Sequence, residues 1–261
     1  MEVRSLELRT ALMIQRMYGL VEARDACAVL RTPSVPDFWF GNCLMMPHPP
    51  EEGDFAAWMA LFEREFPEAD HRVFLVDSPE GDAGVSQAFL ENGFTLTCCD
   101  VLTMTELRRP ERLADEFRIA PLAEDRDWRD LMEISLLIDG GHGGLDRGFL
   151  ERKTSAVRKV IAQERGAWWG AWADGRLVAH MGLFWEGGLV RFQDVETHPD
   201  CRRRGACRSI LHRACLAAGA RLGSPTFVIK PVDATVRRIY ESVGFEFREK
   251  SVDFMRRPAG A

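Results

Sequence analysis

The segment from residue 189 to residue 219 limits the fold of this chain more than any other, because a strand, a basic turn and a helix follow one another directly. Val190, Phe192 and Val195 stand among polar residues, and Pro199, which has no N–H for a sheet ladder, ends this strand. Apolar residues then recur at helical spacing over residues 210–218. The sequence therefore predicts a strand that leads through a short turn into the N-terminus of a helix.

The turn itself has the features of an anion-binding site. The first N–H groups of a helix have no helical partners, and the helix dipole adds partial positive charge at that end. A glycine lets an anion approach these amides closely, while arginines supply charge and forked donors. We therefore predict that a phosphate binds at Arg202, Arg203, Arg204, Gly205, Ala206, Cys207 and Arg208.

The order of strand, Arg202-x-x-Gly205-x-Cys207 and helix resembles the acyl-CoA pyrophosphate signature of the GNAT acetyltransferase superfamily. That signature is [Gln/Arg]-x-x-Gly-x-[Gly/Ala], so Cys207 departs from it with a residue that is still small. The resemblance implies an acyl-CoA co-substrate, acetyl-CoA in the first instance, whose pyrophosphate lies on this turn.

A second segment resembles the C-terminal element of the same family, in which an Asn-like residue is followed by a tyrosine and then by Gly-Phe. Asp233 and Tyr240 occupy the first two positions here, and Gly244 and Phe245 the last. The resemblance implies that Asp233 and Tyr240 belong to the cofactor site and that Tyr240 is the general acid. A helix tyrosine can also simply cap a hydrophobic core, which is the alternative interpretation of this residue.

The resemblance also implies roles for the strand before the turn. The pantetheine arm would lie along the main chain of Val195, Glu196 and Thr197 as an additional strand does, and an N–H group there could stabilise the thioester oxygen. For the general base, Glu196 is the first candidate and Asp194 the second, because alternate residues of a strand share a face. Both carboxylates could instead be solvated or pair with nearby arginines, and water could replace a side-chain base.

Composition narrows the class of protein. A formal net charge of −6 argues against nucleic acid as a main partner, in spite of the local arginines. The seven cysteines contain no C-x-x-C pair and the six histidines show no ligand spacing, so we expect free thiols and no metal. No apolar stretch is long enough to span a membrane and the N-terminus lacks a signal sequence, which predicts a cytoplasmic protein.

The two halves of the chain echo each other in the order of their elements. Gly93-Phe94 and Gly244-Phe245 are the matching points, and this alignment sets Phe89 opposite Tyr240 and the acidic residues 49–54 opposite the arginine turn. We therefore predict an α/β (α+β) fold of two GNAT-like domains, each with a mixed, mostly antiparallel sheet flanked by helices. Residues 1–113 would be a degenerate copy, as in tandem-GNAT proteins of bacteria, and residues 114–261 the catalytic domain.

Other local expectations are a strand over residues 21–30, a buried strand over residues 38–46 and a linker at residues 108–112. A glycine-rich segment follows the helix over residues 125–138, and a flexible connection between two helices is its first interpretation. The resemblance to the GNAT superfamily places this segment on the acceptor side, which makes Asp139 and His142 candidates for contact with the acceptor.

The resemblance to the GNAT superfamily implies an N-acetyltransferase that moves an acetyl group directly from acetyl-CoA to a primary amine. The acceptor could be a small molecule or a peptide, and the chain a monomer or a homodimer. Two other functions remain open, a transferase of another acyl group and a non-catalytic acyl-CoA sensor or scaffold.

Overall fold

The structure of the protein is a computed structural model that describes residues 2–140 and 145–258. These residues form seven α-helices and eleven β-strands. The helices are α1 (Leu6–Tyr18), α2 (Asp54–Glu65), α3 (Gln87–Glu91), α4 (Asp125–Asp139), α5 (Arg147–Ala162), α6 (Ala206–Leu222) and α7 (Ala234–Glu241). The strands are β1 (Leu20–Ala23), β2 (Ala28–Arg31), β3 (Cys43–Met46), β4 (Arg72–Val76), β5 (Thr95–Met104), β6 (Arg118–Pro121), β7 (Gly166–Ala173), β8 (Arg176–Glu186), β9 (Leu189–Thr197), β10 (Thr226–Ile229) and β11 (Glu246–Arg256).

The first compact unit consists of the residues up to Val101 together with those from Arg248 onward. Its strands lie in the order β1-β2-β3-β4-β11, and all neighbours are antiparallel except the parallel pair β3 and β4. An aromatic cluster that includes Trp58, Phe74, Phe89 and Phe254 fills its core. Because the closing strand β11 comes from the end of the chain, this unit is not continuous in sequence.

The second compact unit is Leu102–Phe247. The end of β5 pairs with β10, and the order continues β10-β9-β8-β7-β6; among the described strands of this unit, only β9 and β10 are parallel neighbours. Helix α6 places Ile210, Leu211 and Ala214 in the core of this unit, which they share with residues of β8 and β9. The mixed, mostly antiparallel α/β fold class predicted from the sequence is confirmed. The proposed domain boundary at residue 113 stays a prediction, since compact units do not define repeats.

Two predicted strands were wrong in detail. Residues 21–30 form the hairpin of β1 and β2, and the turn closes where the Arg24 N–H donates to the Cys27 carbonyl at 2.8 Å. In the second predicted strand, over residues 38–46, Trp39–Gly41 is a 3₁₀ turn, so the strand begins only at Cys43. The Asn42 side chain holds this turn, because it donates to the carbonyls of Val35 and Phe38, each at 2.9 Å.

Two further observations concern membranes and metals. Within residues 2–140 and 145–258, none of the helices combines the length and the apolar character that a bilayer crossing requires. Over the same residues, no group of three or more histidine, cysteine, aspartate or glutamate side chains is arranged to hold a metal ion.

Candidate functional site

Strand β9 continues beyond the end of the short strand β10, and the opening left along its edge defines the candidate site. Their ladder joins Leu189–Arg191 of β9 to residues 226–228 of β10, whereas β9 runs on to Thr197. On its other edge, β9 stays paired with β8 as far as Thr197, opposite Ala179. In the described part of the chain, the β10-facing edge of residues 192–197 therefore has no strand partner, and an extended ligand can pair there.

A β-bulge lies beside this opening. Between the pairs Gly182–Gln193 and His180–Glu196, β9 contains two residues, Asp194 and Val195, where β8 contains one. Asp194 adopts φ 45°, which is uncommon for a residue other than glycine. Val195 packs against the core of the unit. The bulge gives β9 an extra residue and a local change of direction where it leaves β10.

The strand ends in the predicted turn, and α6 starts with amides that have no helical acceptor. Gly205 caps the helix with φ 90°, in the left-handed region that favours glycine. The first helical hydrogen bond runs from the Ser209 N–H to the Gly205 carbonyl at 3.0 Å, so the amides of Ala206, Cys207 and Arg208 precede the helical ladder. These donors and the positive end of a 17-residue helix suit an anion such as pyrophosphate.

The arginines of the turn differ in their surroundings. Arg204 pairs with Glu116 at 2.8 Å and lies over the Phe117 ring, so its charge is partly directed away from the helix terminus. Arg202 Nε donates to the Thr197 carbonyl at 3.3 Å. Arg208 Nε is buried without a hydrogen-bond partner among the described residues, and a bound anion could satisfy it. Arg203 is exposed and has φ 63°.

Tyr240 lies in the core of the second unit, where it is only 3% exposed. Burial raises the pKa of its hydroxyl, and the nearby Cys207 and Asp233 add to that shift. The phenol therefore keeps its proton at neutral pH, as a proton donor must. Asp233, predicted as a cofactor contact, caps α7 by accepting a hydrogen bond from the Val236 N–H at 2.8 Å.

Glu196 lies close to two polar side chains, His180 and Ser135, that were not predicted from the sequence. It stands directly opposite His180 in the β8–β9 ladder, and its Oε2 lies 3.1 Å from His180 Nε2. The Ser135 hydroxyl, from α4, donates to the same Oε2 at 2.6 Å. His180 sits inside the apolar run of β8, where nothing in the sequence pattern sets it apart from a buried structural histidine.

Asp194, the second candidate base, is paired with Lys153 of α5 at 2.7 Å. The partner is thus a lysine, whereas arginine partners were expected for Asp194 and Glu196. Asp139, near the C-terminal end of α4, has a buried Oδ2 without a hydrogen-bond partner among the described residues. His142, the other predicted acceptor contact, lies outside the described residues.

Comparisons with known proteins agree with this geometry. Residues 128–245 match the Acetyltransferase (GNAT) family. A GCN5-related N-acetyltransferase from Kribbella flavida superposes with a TM-score of 0.65 at 16% identity, covering 97% of this chain and 96% of its own. A functionally unknown conserved protein from Staphylococcus epidermidis reaches 0.69 at 12% identity, covering 92% of this chain and 94% of its own.

A tandem GNAT protein from the clavulanic acid biosynthesis pathway superposes with a TM-score of 0.54 at 12% identity, covering 80% of this chain and 71% of its own. At these identities the solved structures show the fold alone. No curated protein sequence matches the chain. The family match covers the stretch from α4 through Phe245 and thus includes the strand opening, the arginine turn and Tyr240. This stretch belongs to the acetyltransferase (GNAT) family, and the chain is an acyltransferase of the kind that uses an acyl-CoA donor.

Proposed function

We propose that the chain transfers an acetyl group from acetyl-CoA to a primary amine of a small molecule or peptide. The observation that carries this proposal is the continuity of the opening between β9 and β10 with the N-terminus of α6. The opening offers a strand edge to the pantetheine arm along Val195, Glu196 and Thr197. The amides of Ala206, Cys207 and Arg208 offer donors to the pyrophosphate, with Arg202 and Arg203 adding positive charge.

The protons of the reaction have candidate carriers in the same unit. The thioester supplies an activated acetyl carbon, which forms a bond to the amine nitrogen as its bond to sulfur breaks. An amine is nucleophilic only after it loses its ammonium proton, and Glu196 is the group we assign to accept that proton. We assign Tyr240 to give a proton to the departing thiolate, since a phenol is protonated at neutral pH. Burial raises the pKa of this phenol, which also makes it a weaker acid than an exposed tyrosine.

The acceptor side supports a cationic substrate. Asp139 and Ser135 are four residues apart on α4 and so share a face of that helix, and Ser135 contacts Glu196. The unpartnered Oδ2 of Asp139 would attract a protonated amine toward Glu196.

The test is a screen of amines with acetyl-CoA, in which CoA release and the mass of the acetylated product are both recorded. We expect transfer to at least one primary amine and a fall in rate of about 10²-fold or more in Glu196→Gln. Saturable acetyl-CoA binding with no product from any amine class would refute the transferase proposal and favour an acyl-CoA sensor. A faster reaction with a longer acyl-CoA would identify a different acyl donor.

We further propose that the first half of the chain is a GNAT-like copy that no longer binds acyl-CoA. Gly53 precedes α2 with φ 88°, as Gly205 precedes α6 with φ 90°, and in each case a parallel strand pair brackets the helix. The first copy lacks an opening, since Met46 at the end of β3 pairs with Val76 at the end of β4. Phe89, which has no ionisable proton, is fully buried there.

A calorimetric titration tests this second proposal, because it counts binding sites. We expect one acetyl-CoA per chain. Two sites per chain would show that the first half has kept its ligand.

A further inference from the structure

Two side chains of a polar chain in the second unit, Trp168 and His180, have no role in the reaction outlined above. The polar chain runs from Trp168 through His180 to Glu196 and ends at Ser135. His180 is completely buried. A polar group in such a position is usually hydrogen-bonded at every donor, so the arrangement around this ring calls for an explanation.

The hydrogen bond from Trp168 fixes the protonation of His180. Trp168 Nε1 lies 3.4 Å from His180 Nδ1, and an indole N–H can only donate. His180 Nδ1 therefore accepts and carries no proton. Nε2 is then the ring nitrogen that can donate.

That Nε2 proton faces Glu196. Nε2 lies 3.1 Å from Glu196 Oε2, yet the direction of this contact does not meet hydrogen-bond geometry, so Nε2 is without a hydrogen-bond partner in the described part of the chain. The 3.1 Å separation itself is within hydrogen-bond distance. Because the two residues are direct cross-strand neighbours, the ladder keeps them side by side.

Ser135 completes the arrangement from the helix side. Its hydroxyl donates to the same Glu196 Oε2 at 2.6 Å. One carboxylate oxygen thus faces two donors on separate elements, β8 and α4, while the side chain of Glu196 keeps 22% of its area exposed. The other oxygen, Oε1, is left to receive a proton.

We propose that His180, fixed by Trp168, is a positioning residue for Glu196 and acts together with Ser135. This inference rests on the proposed function, in which Glu196 Oε1 accepts the ammonium proton of the acceptor and later releases it to solvent. Loss of the His180 donor would free the Glu196 carboxylate to rotate. A smaller fraction of the molecules would then hold Glu196 Oε1 where it can accept the proton. The expected signature is a lower kcat with little change in the affinity for acetyl-CoA.

The first experiment needs no turnover. In protein labelled with ¹⁵N-histidine, His180 should show the neutral form with its proton on Nε2. Glu196→Gln should shift the Nε2 resonance, and Trp168→Phe should shift Nδ1. A matched control is Trp185→Phe, which also removes an indole donor, here one that bonds the Glu164 carbonyl at 3.0 Å, and should leave both resonances unchanged. A proton on Nδ1, or an Nε2 resonance that ignores Glu196→Gln, would overturn the inference.

The second experiment separates positioning from folding by a double-mutant cycle. We expect His180→Leu to lower kcat about ten-fold or more in the wild-type background and to have almost no further effect in Glu196→Gln. His180→Gln, whose amide can donate from nearly the same place, should recover part of the rate. Equal effects in both backgrounds would mean that His180 acts only through stability, and the inference would be wrong.

The two experiments keep the inference and the proposed function apart. Resonances that respond as expected in a protein that acetylates no amine would refute the proposed function, and with it the catalytic meaning of this contact. Transfer that proceeds normally in His180→Leu would refute the inference alone.

Discussion

At the scale of single residues, the structure changes the meaning of Tyr240 more than that of any other candidate. The sequence offered two interpretations, a general acid and a core residue, and the ring is in fact part of the core. The two interpretations are compatible, because a phenol keeps its proton at neutral pH in the core as well as at the surface. Burial raises the pKa of the hydroxyl further, which makes it a weaker acid.

Tyr240→Phe should therefore separate catalysis from packing. We expect kcat to fall by about 10²-fold, since general acid catalysis typically contributes 10² to 10⁴. The ring remains, so the melting temperature and the affinity for acetyl-CoA should change little. Initial rates at saturating acetyl-CoA, beside thermal denaturation, provide the measurement. An unchanged kcat would leave Tyr240 with a structural role only.

At the scale of secondary-structure elements, patterns with a clear physical period were predictable. Pro199 and the helical spacing after Gly205 placed the end of β9 and the start of α6 correctly, whereas α6 continues past Gly219 to Leu222. The bulge at Asp194 was not predictable, because one extra residue in a strand leaves the alternation of apolar and polar residues almost unchanged. The hairpin at residues 20–31 was missed because its short strands read as one. The contacts of Glu196 were missed because they depend on tertiary proximity.

An ion pair between Lys153 and Asp194 links α5 to the bulge, and its role can be tested. Lys153→Met removes the partner of Asp194 and keeps an aliphatic chain of similar length. We expect kcat/KM to fall several-fold, because the unpaired carboxylate would leave its φ 45° conformation more readily and disturb the neighbouring main chain of Val195 and Glu196. The matched control is Lys159→Met, on an exposed position of the same helix. Equal activity of the two variants would contradict a role for the pair in the site.

At the scale of the whole molecule, each unit contains a buried thiol. Burial raises the pKa of Cys43 in the first unit and of Cys215 in the second, each from an ordinary value near 9. The unfolded chain releases these protons above that pH, while the folded chain keeps them. The contribution of these protonated thiols to the free energy of unfolding is therefore fully present below pH 9 and is lost as the pH rises further.

We predict that the free energy of unfolding is lower at pH 10 than at pH 8 by roughly 1 kcal/mol for each buried thiol. Urea titrations at the two pH values measure the difference. In Cys215→Ala, the loss between pH 8 and pH 10 should shrink by about that amount, whatever the variant's stability at pH 8. A pH dependence that is the same with and without Cys215 would rule out this origin.

The central claim for the molecule is that an acyl-CoA binds where β9 leaves β10 and α6 begins, and that the equivalent place in the first half is inactive. Calorimetric titration with acetyl-CoA tests it most directly when two matched variants are compared. Gly205→Asp and Gly53→Asp each place the same carboxylate on a left-handed glycine before a helix, so the backbone strain is similar in both. We predict one acetyl-CoA site per chain and an unchanged affinity in Gly53→Asp. In Gly205→Asp the affinity for acetyl-CoA should be at least about ten-fold weaker, because the new charge repels the pyrophosphate. Binding that survives in Gly205→Asp, or that is lost in Gly53→Asp instead, would contradict this claim.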